Sequence, residues 1–97
     1  MTLYKLPFPS AVNTIVRNIP RGTVMTYKEV AVEAGFSGAY RAVGTLMSKN
    51  RNKNIPCHRV VRSDGYTGGY AWNPENKIKI LREEGFTIND DGKIIFD

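Results

Sequence analysis

The sequence predicts a mainly α domain with a small β component, organised around a helix-turn-helix. Three observations carry that reading. Thr26, with Glu29 three residues later, is a capping-box signature that opens one helix. The glycine-bearing turn Gly35-Phe36-Ser37-Gly38 separates it from a second helix expected over 39–49. Past Asn50 the pattern gives way to short β-branched runs bounded by turn residues, with one further helix among them.

Taken in order, Ser10 is placed to cap a helix over 11–18. Its buried face is set either by Ala11, Ile15 and Asn18 or by Val12, Val16 and Ile19. Pro20-Arg21-Gly22 breaks this helix, which reads as scaffold. Thr26 caps the run Tyr27-Lys28-Glu29-Val30-Ala31-Val32-Glu33-Ala34, which Gly35 closes. The helix after the turn carries Arg41 and the small residues Ala42, Gly44, Thr45 and Ser48, so its backbone can come close to another surface, either DNA or another helix. Asn50-Arg51-Asn52-Lys53-Asn54 is a polar, turn-prone link. Val60-Val61-Arg62 reads as a short strand ended by Ser63-Asp64-Gly65. The glycine- and aromatic-rich stretch from Tyr66 to Trp72 suits a pocket wall near a planar ligand, or else an aromatic cover over the core. Asn73 caps a last helix with Pro74 at its first position, running through Ile78, Leu81 and Glu84 to Gly85. The final segments Phe86-Thr87-Ile88 and Lys93-Ile94-Ile95-Phe96 flank Asn89-Asp90-Asp91-Gly92 as a hairpin.

A chain of 97 residues is the size of one small domain, 1–97. Its lone cysteine excludes an internal disulfide and fits a reducing, intracellular compartment. Residues 1–9 lack the apolar run of a secretion signal, and no stretch approaches the roughly 18–20 apolar residues of a membrane span. The expectation is therefore an intracellular protein with no membrane partner. The net charge is +5, and its distribution says more. No acidic residue occurs between Glu33 and Asp64, a gap that holds Arg41, Lys49, Arg51, Lys53, Arg59 and Arg62. Such a block suits a polyanion, or is simply a solvated basic face.

The chemistry concentrates in Ile55-Pro56-Cys57-His58-Arg59-Val60-Val61-Arg62, where the only cysteine and only histidine stand side by side. A thiolate is the strongest nucleophile among ordinary side chains, and an imidazole can take its proton. Taken singly, a lone cysteine is more often a small buried hydrophobe. On a regular strand Cys57 and His58 would point to opposite faces. Their cooperation needs a turn at Pro56-Cys57 or a bridging water, and a third group to orient the imidazole. One cysteine and one histidine make no zinc site, and no metal or cofactor is expected.

These segments together resemble the C-terminal catalytic domain of the O6-alkylguanine-DNA alkyltransferases, the methylated-DNA–protein-cysteine methyltransferases. The resemblance runs from about Pro20 to Gly85. It includes Pro-x-Gly-x-Val-x-Thr-Tyr at 20–27, Arg-Ala-Val-Gly at 41–44, Asn50, Pro-Cys-His-Arg-Val at 56–60, Gly-Tyr-x-Trp at 69–72 and Leu-x-x-Glu-Gly at 81–85. It implies a winged-helix-like fold and a single-use DNA repair protein whose partner is double-stranded DNA containing O6-alkylguanine. Cys57 would accept the alkyl group irreversibly, Glu84 would orient His58, and His58 would activate Cys57 through a water. An anionic Glu84 would favour imidazolium, and imidazolium would favour thiolate.

The resemblance also implies that the Tyr27 hydroxyl helps neutralise the departing base. Asn50 corresponds to a hinge that ties the helix-turn-helix to the active-site turn, although it reads equally well as a helix C-cap. Arg41 would enter the DNA stack in place of a flipped nucleotide. Ala42 and Gly44 would let the helix approach the minor groove. Tyr70 would stack in the alkylguanine pocket, with the backbone of Val60 and Ala71 reading the base edge. Many relatives carry an extra N-terminal domain, so the expectation is a short form without one, acting as a monomer. The alternative is the sister group of alkyltransferase-like lesion sensors. Those are similarly short and bind O6-alkylguanine DNA without transfer, tryptophan typically replacing their cysteine; this chain keeps Cys57.

Overall fold

A computed structural model of the chain describes residues 6–68 and 74–96. In order, these form α1 (Phe8–Arg17), β1 (Met25–Thr26), α2 (Tyr27–Glu33) and α3 (Tyr40–Ser48), then a single 3-10 turn (Cys57–Arg59) and β2 (Val60–Val61). They end with α4 (Pro74–Glu83), β3 (Thr87–Ile88) and β4 (Ile94–Ile95). The mainly helical class with small β additions is as expected, and α2 and α3 form the helix-turn-helix.

Helix α1 starts earlier than Ser10 suggests. Pro7 occupies its cap and another proline lies in its first turn, where a missing N–H deprives no helical bond. Ser10 therefore lies inside the helix, and its carbonyl accepts from Thr14 Oγ1 at 2.8 Å. Ala11, Val12, Val16 and Ile19 are buried, whereas Asn18 is exposed. The capping box at α2 forms in both directions, Glu29 N to Thr26 Oγ1 at 3.0 Å and Thr26 N to Glu29 Oε1 at 2.9 Å. Gly35 takes φ +87°, a conformation that a side chain would resist, and so ends α2 and sets the turn. Phe36 in that turn packs edge-on to Phe8, ring centroids 5.1 Å apart.

The described residues form two short strand pairs. β1 and β2 pair in parallel, with Met25 opposite Val60 and Thr26 opposite Val61, so the start of α2 is pinned beside the Cys57 turn. β3 and β4 are antiparallel, Ile88 opposite Ile94. Successive residues of a strand face opposite ways, and β2 uses this to join two cores. Val60 packs with Cys57, Ile55 and the buried faces of α1, α2 and α3, while Val61 packs with Leu81, Ile88 and Ile94.

Candidate active site

The Cys57 segment is a compound turn. Pro56 lies at φ −76°, ψ 67°, an inverse γ-turn, across which Cys57 N donates to Ile55 O at 2.8 Å. Arg59 N donates to Pro56 O at 2.9 Å and opens the way into β2. This takes the segment out of strand geometry. Cys57 is buried in the helical core, while His58 and Arg59 both reach Glu84 just beyond α4. Among the described residues, no hydrogen bond joins Cys57 directly to His58.

Asn50 follows α3 and holds the turn from the other side. Its Nδ2 donates to Cys57 Sγ at 3.3 Å, to Ile55 O at 3.2 Å and to Asn52 O at 3.1 Å, and its Oδ1 accepts from Asn52 N at 3.0 Å. The asparagine thus ties the helix-turn-helix to the cysteine. Its place is past the cap residue Lys49, so the C-cap reading gives way to this one.

Glu84 has a side chain only 3% exposed and binds two partners. Its Oε2 is 2.9 Å from His58 Nε2, and Arg59 grips both carboxylate oxygens, Nε to Oε1 at 3.0 Å and Nη2 to Oε2 at 2.8 Å. Burial alone would raise the Glu84 pKa, but hydrogen bonds from Arg59 and His58 outweigh it and hold the group at about 2. An ionised carboxylate can only accept, so Nε2 carries the imidazole proton and Nδ1 keeps its lone pair. Burial lowers the His58 pKa, and the positive charges of Arg59 and Lys77 add to this against the opposing pull of Glu84. The shared carboxylate of Glu84 is thus divided between Arg59 and His58, and burial favours the neutral form of the His58 ring.

Lys77 was not anticipated. It is fully buried, and its Nζ donates to Val60 O at 2.7 Å and to the Tyr27 hydroxyl at 3.4 Å. Burial lowers its pKa to about 8, with the proximity of Cys57 acting the other way. Its signal in the sequence is spacing: Lys77, Leu81 and Glu84 stand at i, i+4 and i+7, which puts a lysine on the inward face of α4. The Tyr27 pKa is raised by burial and by Cys57, with Arg62 opposing, so the hydroxyl stays protonated as a donor.

The remaining candidates divide. Arg41 and Ala42 are exposed on α3, whereas a Cβ on Gly44 would lie 4.0 Å from the Tyr27 ring, so Gly44 faces the site as well as the helix surface. Val60, whose backbone is expected to read a base edge, gives its carbonyl to Lys77. Tyr70 and Ala71, with Trp72, lie outside the described residues. Arg59, counted above with the polyanion-facing charges, points inward to Glu84 and to Ile19 O at 2.9 Å. Gly68 lies close against Tyr27. At φ +77°, a Cβ there would sit 3.3 Å from the Tyr27 hydroxyl oxygen.

Residues 7–86 match a family model described as 6-O-methylguanine DNA methyltransferase, DNA binding domain. The chain is 44% identical over 75 residues to a methylated-DNA–protein-cysteine methyltransferase of Methanothermobacter thermautotrophicus, covering 76% of this chain and 42% of that protein. It is 42% identical over 78 residues to a bifunctional methyltransferase/endonuclease of Picrophilus torridus, covering 79% of this chain and 26% of that protein. The chain thus spans less than half the length of either relative. Among solved structures, Mycobacterium tuberculosis OGT in complex with DNA superposes with a TM-score of 0.76 at 33% identity, covering 86% of this chain and 51% of that one. Schizosaccharomyces pombe Atl1, in complex with damaged DNA containing O6-carboxymethylguanine, gives 0.77 at 28% identity, covering 93% and 88%.

Proposed function

The chain belongs to the 6-O-methylguanine DNA methyltransferase DNA-binding-domain family, and on that premise we propose that it transfers an alkyl group from O6 of a damaged guanine in duplex DNA to Cys57, once per molecule. The observation that carries this reading is the 2.9 Å contact of His58 Nε2 with an ionised Glu84, which leaves Nδ1 as the unprotonated nitrogen beside the cysteine turn. His58 takes the thiol proton through a water. The Cys57 sulfur attacks the alkyl carbon, the S–C bond forms as the C–O6 bond breaks, and the electron pair leaves with the base. Tyr27 donates its proton to the departing guanine, and the Lys77 ammonium stabilises the phenolate that this creates. Asn50 keeps the sulfur aimed at the pocket.

The target atom lies inside a duplex, so the nucleotide is flipped out at a cost of a few kcal/mol. Helix α3 enters the minor groove, Ala42 and Gly44 allow close approach, and Arg41 fills the place of the flipped nucleotide. Tyr70, Val60 and Ala71 complete the alkylguanine pocket. The protein acts as a monomer within a reducing, intracellular compartment.

A lesion-sensing role without transfer is the second reading, favoured by the likeness to Atl1 over most of both chains. Intact-mass measurement after incubation with an O6-methylguanine duplex separates the two. Transfer adds about 14 Da on Cys57, abolished in Cys57→Ser. Lesion binding with no mass change selects the sensor.

A further inference from the structure

A cleft of about 450 Å³ opens beside His58, between the link that follows α3 and one face of α4. Lys53 and Ile55 line it on the link side. On the helix side Asn76, Lys79, Ile80 and Glu83 stand at i, i+3, i+4 and i+7, so a single face of α4 forms the wall. Ile55 and His58 lie on either side of Cys57 in the chain, and the cleft therefore begins at the cysteine turn. Its floor is apolar, with Ile55 buried and Ile80 half-buried, whereas Lys53 and Lys79 are exposed. Among the described residues neither lysine forms an ion pair. The link is braced, because Asn54 N donates to Asn52 Oδ1 at 2.9 Å and Ile55 N donates to Asn52 O at 3.1 Å, which fixes the backbone around Lys53.

We infer that this cleft receives the far end of the O6 substituent, and that its two lysines adapt the protein to lesions whose substituent ends in a carboxylate, the O6-(ω-carboxyalkyl)guanines. The inference rests on the proposed reading of the chain as an O6-alkylguanine-binding protein and names the lesion class within it. Shape and charge together select that class. The apolar floor suits a methylene stem. Lys53 and Lys79 against Glu83 leave one net positive charge, which a single carboxylate matches. A methyl group ends at the reacting carbon and reaches neither lysine. Transfer follows the step already described: the Cys57 sulfur bonds to the first methylene carbon as that carbon's bond to O6 breaks. The electron pair leaves with the guanine, and the carboxylate stays on the alkylated cysteine.

The test compares two lesions of equal length in one duplex sequence, O6-(3-carboxypropyl)guanine and its neutral amide, O6-(3-carbamoylpropyl)guanine. Affinities are measured in the Cys57→Ser background. The acid should be favoured over the amide about tenfold at ~0.1 M salt, since two exposed ion pairs are gained, and the preference should shrink as salt rises. Lys53→Gln and Lys79→Gln should each lower the preference to about threefold, and the double variant should abolish it. Lys53→Glu should invert it in favour of the amide. Acid and amide are compared within one protein, so effects on folding or on general DNA affinity cancel in the ratio. A ratio of one or below in the parent, or a preference for the acid that survives in the double variant, would overturn the inference. Failure of alkyl transfer itself is read separately, from the mass of the wild type with O6-methylguanine, and leaves these affinity ratios decisive.

Discussion

Lys77 and Tyr27 meet inside the protein, with the lysine Nζ 3.4 Å from the tyrosine hydroxyl and no part of the lysine open to solvent. Burying an ammonium is unfavourable unless its protons find acceptors. Here the Val60 carbonyl, at 2.7 Å, supplies one.

That pairing has a pH signature. The Lys77 pKa falls from 10.5 to about 8 on burial, so between those values the unfolded chain holds more protons than the folded one. Stability should rise with pH across that window, by up to roughly 3 kcal/mol, and the full cost of the charge is present below pH 8. Lys77→Met should flatten the rise in melting temperature and slow transfer by about tenfold or more. An unchanged pH slope in that variant would assign the rise to another group.

Glu84 gives the opposite limb. Its pKa of about 2 lies below the ordinary 4.5, so its contribution is complete above 4.5 and is lost as pH falls toward 2. Glu84→Gln should lack this acid loss and, by leaving Arg59 poorly paired, cost about 2–3 kcal/mol in denaturant unfolding at pH 7. The same change removes the influence that holds the His58 pKa up. The acid fall of the transfer rate, expected below the usual histidine range in wild type, should move lower still and from a reduced plateau. A fall that moves upward would contradict the neutral-base role.

Asn50→Ala removes the donor shared by Cys57 Sγ, Ile55 O and Asn52 O. It should destabilise the protein by about 1–3 kcal/mol, and it should slow transfer beyond what stability explains. Comparing rates well below the melting transition separates the two effects.

Arg41→Ala should lower repair of paired O6-methylguanine far more than reaction with the free modified base, which needs no extrusion. Equal losses on both substrates would move Arg41 into the pocket or the fold.

What could be read from sequence follows the range of the interactions involved. The capping box of Thr26 and Glu29 is local, spans three residues and formed as expected. The turn at Pro56 was legible because proline restricts its own backbone. Glu84 and Asn50 were reached through resemblance, since nothing nearby in the chain reveals that one meets His58 and the other Cys57. Lys77 was passed over and Arg59 misplaced for a common reason. Residue type places lysine and arginine at the surface, and only tertiary contacts show their charges turned inward, to Val60 O and Tyr27 in one case and to Glu84 in the other. The start of α1 was missed because Ser10 is a strong cap former, yet two prolines just before it suit a helix's first turn.

The two-rung pairing of β1 with β2 has a consequence for how the protein is made. The strands are distant in sequence, with the entire helix-turn-helix between them. Helices form quickly from near neighbours, whereas this pairing must first close a long loop. During refolding, helical signal should therefore appear before the thiol of Cys57 becomes protected, and the reactive turn should be among the last parts to take shape. A nascent chain would have its helix-turn-helix in place before its thiol was sheltered.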